Sequence, residues 1–374
     1  MGSNLTVLVA SGASGGHLFP AIAVAKELQR EGVAVQLVLG GGRFAEVVER
    51  AELPYVRLPA AAFNDRGVVG LLWASIRLLM GMLVALQLVW RVRPAAVFGT
   101  GGYATVALLV AGKLLGVPVV IHEQNVLPGR ANRLLARWAD VVIVTFAESV
   151  TYLPKRCGKV LVLGTPLRDE ILALAKVKRR AAADFRLLIL GGSQGARILG
   201  DVVPEMVALM SREERQSLVV VQQVRPEDMA RVKAIYADLE LAGFEVAAFF
   251  NDLPQRYLQA DVVIGRSGVG TVLEAATLGL PAIYVPLELA DGHQKLNAAV
   301  AERAGAAVVV EQAYFTPASL LVHVRALRNA PQKLEAMAMA ARQLANPTAT
   351  RDVAAAVRGV MPKNIGLKKM GLKS

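Results

Sequence analysis

His17 ends a glycine-rich run, Ser11-Gly12-Ala13-Ser14-Gly15-Gly16, which follows an apolar stretch and leads into a helical pattern through Pro20 and Ala21. An imidazole there can accept a proton from a substrate hydroxyl near neutral pH, or it can cap the helix; residue type alone leaves both open. Two more turns share this design: Gly99-Thr100-Gly101-Gly102-Tyr103 and Gly191-Gly192-Ser193-Gln194-Gly195-Ala196. Glycine lets the backbone approach a ligand, and the unpaired N–H groups of the next helix face an anion. One such turn is often only a connector. Three in one chain point to two phosphorylated substrates.

Other polar clusters fall at the same kind of place. His122-Glu123-Gln124-Asn125 follows the buried-type run Val119-Val120-Ile121, at the carboxyl end of a strand where open α/β folds put ligands. Arg266-Ser267-Gly268-Val269-Gly270-Thr271 again sets N–H donors and hydroxyls at a helix start. Glu274, one turn on, can accept bonds from ribose hydroxyls, so a nucleotide fits. Asp291-Gly292-His293-Gln294-Lys295-Leu296-Asn297 follows another strand and could address a sugar or base. The four histidines have no zinc spacing, and no serine stands in a nucleophile elbow, which disfavours metal hydrolysis and acyl transfer.

Positioning these residues requires strands that end at them. Apolar runs at 5–10, 33–39, 95–98, 118–122 and 141–145 alternate with helical stretches, and so do runs at 187–190, 218–222, 246–250, 262–265, 282–285 and 306–310. Runs apolar on both faces indicate parallel strands covered by helices, so the pattern predicts an α/β chain of two doubly wound parallel-sheet domains. Their first strands both lead into a glycine turn. The joint is expected at Gly164-Thr165-Pro166, dividing residues 1–166 from 167–345. A C-terminal helix over 346–362 is expected to pack back on the first domain, and a basic tail over 363–374 to be disordered.

The chain has 374 residues, 54% hydrophobic and 19% charged, with a formal charge of +12. That balance implies an anionic partner: phosphorylated substrates or an anionic membrane surface. Aromatic residues, at 5%, are too sparse for base-stacking platforms, and nucleic acid is excluded as a partner. Cys157 stands alone, which fits a reducing cytoplasm and rules out an intramolecular disulfide. Gly67–Val92 is the apolar anomaly, with Arg77 and Arg91 as its only charges. It reads as one or two helices on the sheet, as a patch lying on the membrane rimmed by Arg66, Arg91 and Arg93, or as a span. Sheet strands on both sides argue against the span. From the residues alone the chain is a nucleotide-dependent transferase leaning toward the membrane. A dinucleotide oxidoreductase is disfavoured, because neither first turn is G-x-G-x-x-G and Gly40-Gly41-Gly42-Arg43 replaces the expected acidic residue. A non-enzymatic membrane scaffold that binds nucleotide is the other alternative.

From about Leu5 to Val360 the chain resembles the MurG family, which transfers N-acetylglucosamine to undecaprenyl-pyrophosphoryl-muramoyl-pentapeptide in peptidoglycan synthesis. The resemblance rests on SGASGGHLFPAIAVA from Ser11, GTGGYAT from Gly99, HEQNVLPGRAN from His122, GTPLRDEI from Gly164, GGSQGARILG from Gly191 and RSGVGTVLEAATLGLPAIYVPL from Arg266. It implies two Rossmann-like domains facing across a cleft, the GT-B arrangement. It also implies an inverting, metal-free and cofactor-free transfer from UDP-N-acetylglucosamine to lipid I, giving lipid II at the cytoplasmic face of the membrane, with other cell-wall synthesis proteins as further partners. His17 would be the base. Ser14, Gly15, Gly16, Asn125, Arg168, Ser193, Asn251, Gly268, Val269, Gly270, Thr271, Val272, Leu273, Glu274, His293 and Gln294 would contact the donor, and Gly101, Gly102, Tyr103 and Glu123 the acceptor. Three places depart from the family pattern: the pair Ala13-Ser14 where glycine-threonine is common, Asn251 where an apolar residue is frequent, and His293 where glutamine also occurs.

Overall fold

In the computed structural model, residues 5–12, 14–40, 45–59, 67–177, 183–192, 195–288 and 292–362 are described. They form two compact units, one of residues 1–124, 128–166 and 348–374, the other of residues 125–127 and 167–347.

Unit 1 runs β1 (Thr6–Ser11), α1 (Gly15–Arg30), β2 (Ala34–Leu39), α2 (Ala45–Arg50), β3 (Tyr55–Arg57), α3 (Gly67–Val92), β4 (Ala96–Gly99), α4 (Tyr103–Leu114), β5 (Val119–Glu123), α5 (Arg130–Leu135), β6 (Val141–Val144) and β7 (Lys159–Val162). All seven strands are parallel, in the order β3-β2-β1-β4-β5-β6-β7. The order reverses direction between β1 and β4, so the turns leaving these two strands open at the switch point, where such sheets take ligands. β4 and β6 are buried along their whole length, as strands covered on both faces must be. One face packs Val7, Val9, Phe98 and Val120 against Leu18, Ile22, Ala25 and Leu28 of α1. The other packs Leu8, Val97, Ile121 and Val142 against Leu108, Leu109 and Ala111 of α4.

Unit 2 runs α6 (Asp169–Leu174), β8 (Phe185–Leu190), α7 (Arg197–Ala208), α8 (Arg212–Gln216), β9 (Leu218–Gln223), α9 (Met229–Ala237), β10 (Gly243–Ala247), α10 (Leu253–Gln259), β11 (Val262–Gly265), α11 (Val269–Thr277), β12 (Ala282–Tyr284), α12 (His293–Arg303), β13 (Ala307–Val309), α13 (Pro317–Arg328) and α14 (Pro331–Leu344). Its parallel strand order is β10-β9-β8-β11-β12-β13, with the switch point between β8 and β11. The last helix, α15 (Ala349–Gly359), belongs to unit 1, where Val353, Ala354 and Val357 join the core beneath α1.

The α/β reading with two parallel sheets is what the structure has. Three strands depart from the apolar pattern, and all three are edges. β3 and β7 escape it because each is a short edge strand whose residues are only partly buried or exposed. β10 lies at 243–247 rather than 246–250, since its register against β9 pairs Gly243 with Val219 and leaves Phe244 and Glu245 exposed. Gly67–Val92 is one continuous helix. Gly81, Ala85 and Val89 form its buried stripe, while Leu79, Leu83 and Trp90 are each more than 60% exposed. Gly81 is obligatory there, because a Cβ would come within 2.3 Å of the Pro59 carbonyl oxygen. Among the described residues no helix is long and apolar enough to cross a membrane.

Candidate active site

In unit 1 the turns after β1 and β4 touch through their backbones. A Cβ on Gly102 would lie 2.5 Å from the Gly12 Cα, and Gly101 and Gly102 hold φ of +112° and +91°, so both conformation and space demand glycine. Thr100 ties the turns together, its hydroxyl donating to the His17 carbonyl at 2.9 Å. Ser14 is the N-cap of α1, exposed, and its hydroxyl makes no capping bond. Gly15 and Gly16 open the helix, so their N–H groups lack intrahelical partners and the positive end of the helix dipole lies beside a free hydroxyl.

His17 is half-buried, its ring laid against Gly101, where a Cβ would approach Cε1 to 2.9 Å. Its Nδ1 meets the Gln124 side-chain oxygen at 3.1 Å. His122 and Glu123 are the last residues of β5 rather than part of the following loop, and both are buried. Burial pushes the His122 pKa down to about 4, against the pull of the Gly164 carbonyl that its Nε2 meets at 2.9 Å; the nearby His17 lowers it further. One Glu123 oxygen accepts from the Gly129 N–H at 3.0 Å and from the Asn132 amide at 2.8 Å, holding the segment that leads into α5. Tyr103 begins α4.

In unit 2, Gly268 caps α11, and a Cβ on Gly268 or Gly270 would meet nothing within 4 Å, so the space before this helix start is open. Val269, Gly270 and Thr271 carry its first N–H groups. The side chains of Val269, Val272 and Leu273 are buried, and the Val272 N–H already donates to the Gly268 carbonyl. Glu274 is also buried and is gripped by Arg168, which donates Nε to one carboxylate oxygen at 2.9 Å and Nη2 to the other at 2.8 Å. Burial raises the Glu274 pKa while Arg168 draws it back.

The α12 start is built as a clamp on its own unit. His293 Nδ1 donates to the Leu127 carbonyl at 2.7 Å, and the Gln294 side-chain oxygen accepts from the Leu287 N–H at 3.0 Å. Asn297 receives the Val126 N–H at 3.1 Å and donates to Asn125 Oδ1 at 3.0 Å. Asn251 is exposed in the turn before α10. Ser193 lies outside the described residues.

Thus the structure gathers Ser14, Gly15, Gly16, His17, Gly101 and Gly102 at one switch point, and Arg168 with Glu274 beside α11. Val272 and Leu273 are turned into the core. Gln124 and Asn297 carry positioning bonds that their presence in polar runs only hinted at, and so does Asn132, which the sequence showed only as the end of a family motif. Among the described residues, no group of three His, Cys, Asp or Glu side chains is placed to hold a metal ion.

The N-terminal domain of glycosyltransferase family 28 matches residues 7–144 and the C-terminal domain of that family matches residues 186–354. A relative from Rhodopseudomonas palustris (strain BisA53), named UDP-N-acetylglucosamine–N-acetylmuramyl-(pentapeptide) pyrophosphoryl-undecaprenol N-acetylglucosamine transferase, is 41% identical over 368 residues, covering 96% of this chain and 98% of its own. One of the same name from Methylobacterium nodulans is 42% identical over 356 residues, covering 94% and 95%. The crystal structure of Acinetobacter baumannii MurG superposes with a TM-score of 0.76 at 30% identity, covering 95% of this chain and 99% of that one. A Neisseria meningitidis UDP-GlcNAc 2-epimerase shares the fold at 15% identity, with a TM-score of 0.70 and coverage of 95% and 100%. With both family 28 domains in order and whole-length relatives above 40% identity, the chain belongs to the MurG family of N-acetylglucosaminyltransferases within glycosyltransferase family 28.

Proposed function

We propose that this enzyme moves N-acetylglucosamine from UDP-N-acetylglucosamine to the muramoyl O4 of lipid I with inversion, forming lipid II. The observation that carries the reading is His17, held over Gly101 in the first turn of α1, just past the exposed Ser14 and Gly16. In the reaction the O4 hydroxyl gives its proton to His17 while the oxygen attacks the sugar C1. The bond from C1 to the β-phosphate oxygen breaks, and UDP leaves with the electron pair. Gly101, Gly102 and Tyr103 take the acceptor pyrophosphate through the turn after β4. The N–H groups of Val269, Gly270 and Thr271 take the charge developing on UDP. Glu274 receives the ribose hydroxyls, sharing its carboxylate with Arg168. Glu123, one carboxylate oxygen taken by two protein donors, supports the segment leading into α5.

The enzyme works as a peripheral protein on the cytoplasmic membrane face. Exposed Leu79, Met80, Leu83 and Trp90 on α3, beside exposed Arg77, Arg91 and Arg93, support this with both apolar and cationic contacts. Labelled UDP-N-acetylglucosamine incubated with a lipid I analogue, with and without chelator, tests the function. Chelator-resistant transfer of label to lipid is expected. Absence of transfer by folded protein that still binds UDP would reduce the chain to a nucleotide-binding scaffold.

A further inference from the structure

We propose that Gln124 is a positioning residue that holds His17 in the tautomer with the proton on Nδ1, leaving Nε2 as the only ring atom able to accept a proton. The assignment follows from the partners of one amide. Gln124 Nε2 lies 2.9 Å from the Thr100 carbonyl oxygen, which can only accept, so this end of the amide must be the NH2 group. Its second hydrogen goes to His122 Nδ1 at 3.1 Å, with the His122 carbonyl at 3.4 Å. Oε1 is therefore the end that meets His17 Nδ1 at 3.1 Å. An amide oxygen cannot donate, so the hydrogen in that bond belongs to the imidazole. A flipped amide would press its oxygen against two carbonyl oxygens.

His122 makes the arrangement one-directional. Its Nε2 faces the Gly164 carbonyl and so carries the ring proton, which leaves Nδ1 as an acceptor while the ring is neutral. Burial keeps it neutral down to about pH 4. The orientation thus passes from the Gly164 carbonyl through His122 and Gln124 to His17, all within unit 1. Free imidazole side chains favour the opposite tautomer, with the proton on Nε2, which would point a donor at a hydroxyl that has to lose its proton. Gln124 removes that form before substrate arrives.

The catalytic consequence rests on His17 being the base, so the test reads the tautomer and the turnover separately. The full-length protein is labelled with 15N-histidine, and its four histidines are observed by long-range 1H–15N correlation at alkaline pH, His17 being assigned by the loss of its signals in His17→Ala. The resting wild type is expected to show a pyrrole-type Nδ1 and a pyridine-type Nε2 at His17. A protonated Nε2, or an even mixture, in the wild type overturns the proposal without any variant having to fold. Gln124→Leu, similar in size but unable to accept, is expected to move His17 to the Nε2–H form. It is also expected to lower kcat roughly 10–10²-fold, part of what a general base supplies, with the KM for UDP-N-acetylglucosamine unchanged. A Gln124→Leu enzyme that keeps the wild-type tautomer, or that changes tautomer with unaltered kcat, overturns it as well. Normal turnover by His17→Ala would remove the base and with it the catalytic consequence, while leaving the tautomer assignment standing on its own signals.

Discussion

The two units use the same start, a parallel strand ending in glycines before a helix, and finish it with opposite chemistry. In unit 1 the side chains behind the turn and its His17 are neutral: Gln124 and a His122 kept uncharged by burial, joined by amide and carbonyl bonds. In unit 2 they are ions, with Arg168 and Glu274 clasped through both nitrogens and both oxygens. A neutral network preserves a lone pair, which a base needs. An ion pair holds charge ready for a phosphorylated ligand but must share it on binding. Under the proposed function, one scaffold would thus serve proton removal in unit 1 and nucleotide retention in unit 2 through what lies behind the turn.

The sharpest way to break this contrast is at His17. His17→Ala should lower kcat by roughly 10²–10⁴-fold and leave UDP affinity nearly intact, since a base acts in the transition state. Single-turnover rates beside UDP calorimetry would show the split. Equal losses in both would mean that His17 builds the turn rather than serving the reaction, and a thermal melt separates that from unfolding.

The next effect is on stability, and its sign follows from burial. The His122 pKa falls from 6.5 to about 4 on folding, so the unfolded chain binds the proton more readily. Unit 1 should have its full stability above pH 6.5 and lose about 3 kcal/mol as the pH drops toward 4. In unit 2 the bidentate bond from Arg325 holds the Glu214 pKa down to about 2 from 4.5, so that contribution is complete above about pH 4.5 and is lost only as the pH falls through about 2. Unit 1 should soften first on acidification. All three tryptophans, Trp73, Trp90 and Trp138, lie in unit 1, so their fluorescence in urea reports that unit alone. A urea midpoint unchanged between pH 7 and 5 would mean that the imidazole is not held neutral, and His122→Gln should abolish the slope.

The same contrast explains what could be read from the chain. Both sheets and the glycine turns were legible because fully buried strands write continuous apolar runs and glycine marks each turn. Edge strands β3, β7 and β10 were missed or shifted, since short, partly buried strands leave no such run. At the site, His17 and Glu274 stand out by residue type and place. Their partners do not: Gln124 is 107 residues from His17, and Arg168 is 106 from Glu274. Nothing local marks which polar residue turns inward. Val272 and Leu273 show the reverse, sitting in a motif yet packed into the core by the helical period.

Glu274→Ala probes the ionic side directly. It should weaken UDP binding by about 1.5–3 kcal/mol, the range for hydrogen bonds to a charged group. Arg168→Ala should leave a buried carboxylate without its cation and cost folding stability as well. Calorimetry showing unchanged UDP affinity in a folded Glu274→Ala protein would make the pair a purely structural clasp.

The smallest effect concerns a surface rather than a turn. Helix α3 of unit 1 buries Gly81, Ala85 and Val89 and turns Leu79, Leu83 and Trp90 outward, with Arg91 and Arg93 exposed at its end. Apolar residues that gain nothing from the protein core gain by entering a lipid interface, and each arginine near an anionic surface adds about 1 kcal/mol. Arg91→Gln should therefore weaken binding to anionic vesicles about fivefold at low salt, with the difference shrinking as salt screens the surface. Leu83→Gln should weaken binding at every salt concentration, because burial of apolar area is not screened. Sedimentation of the two variants across a salt series separates the terms. If neither changes the bound fraction, α3 covers the sheet and does nothing more, and the proposed membrane contact loses its support.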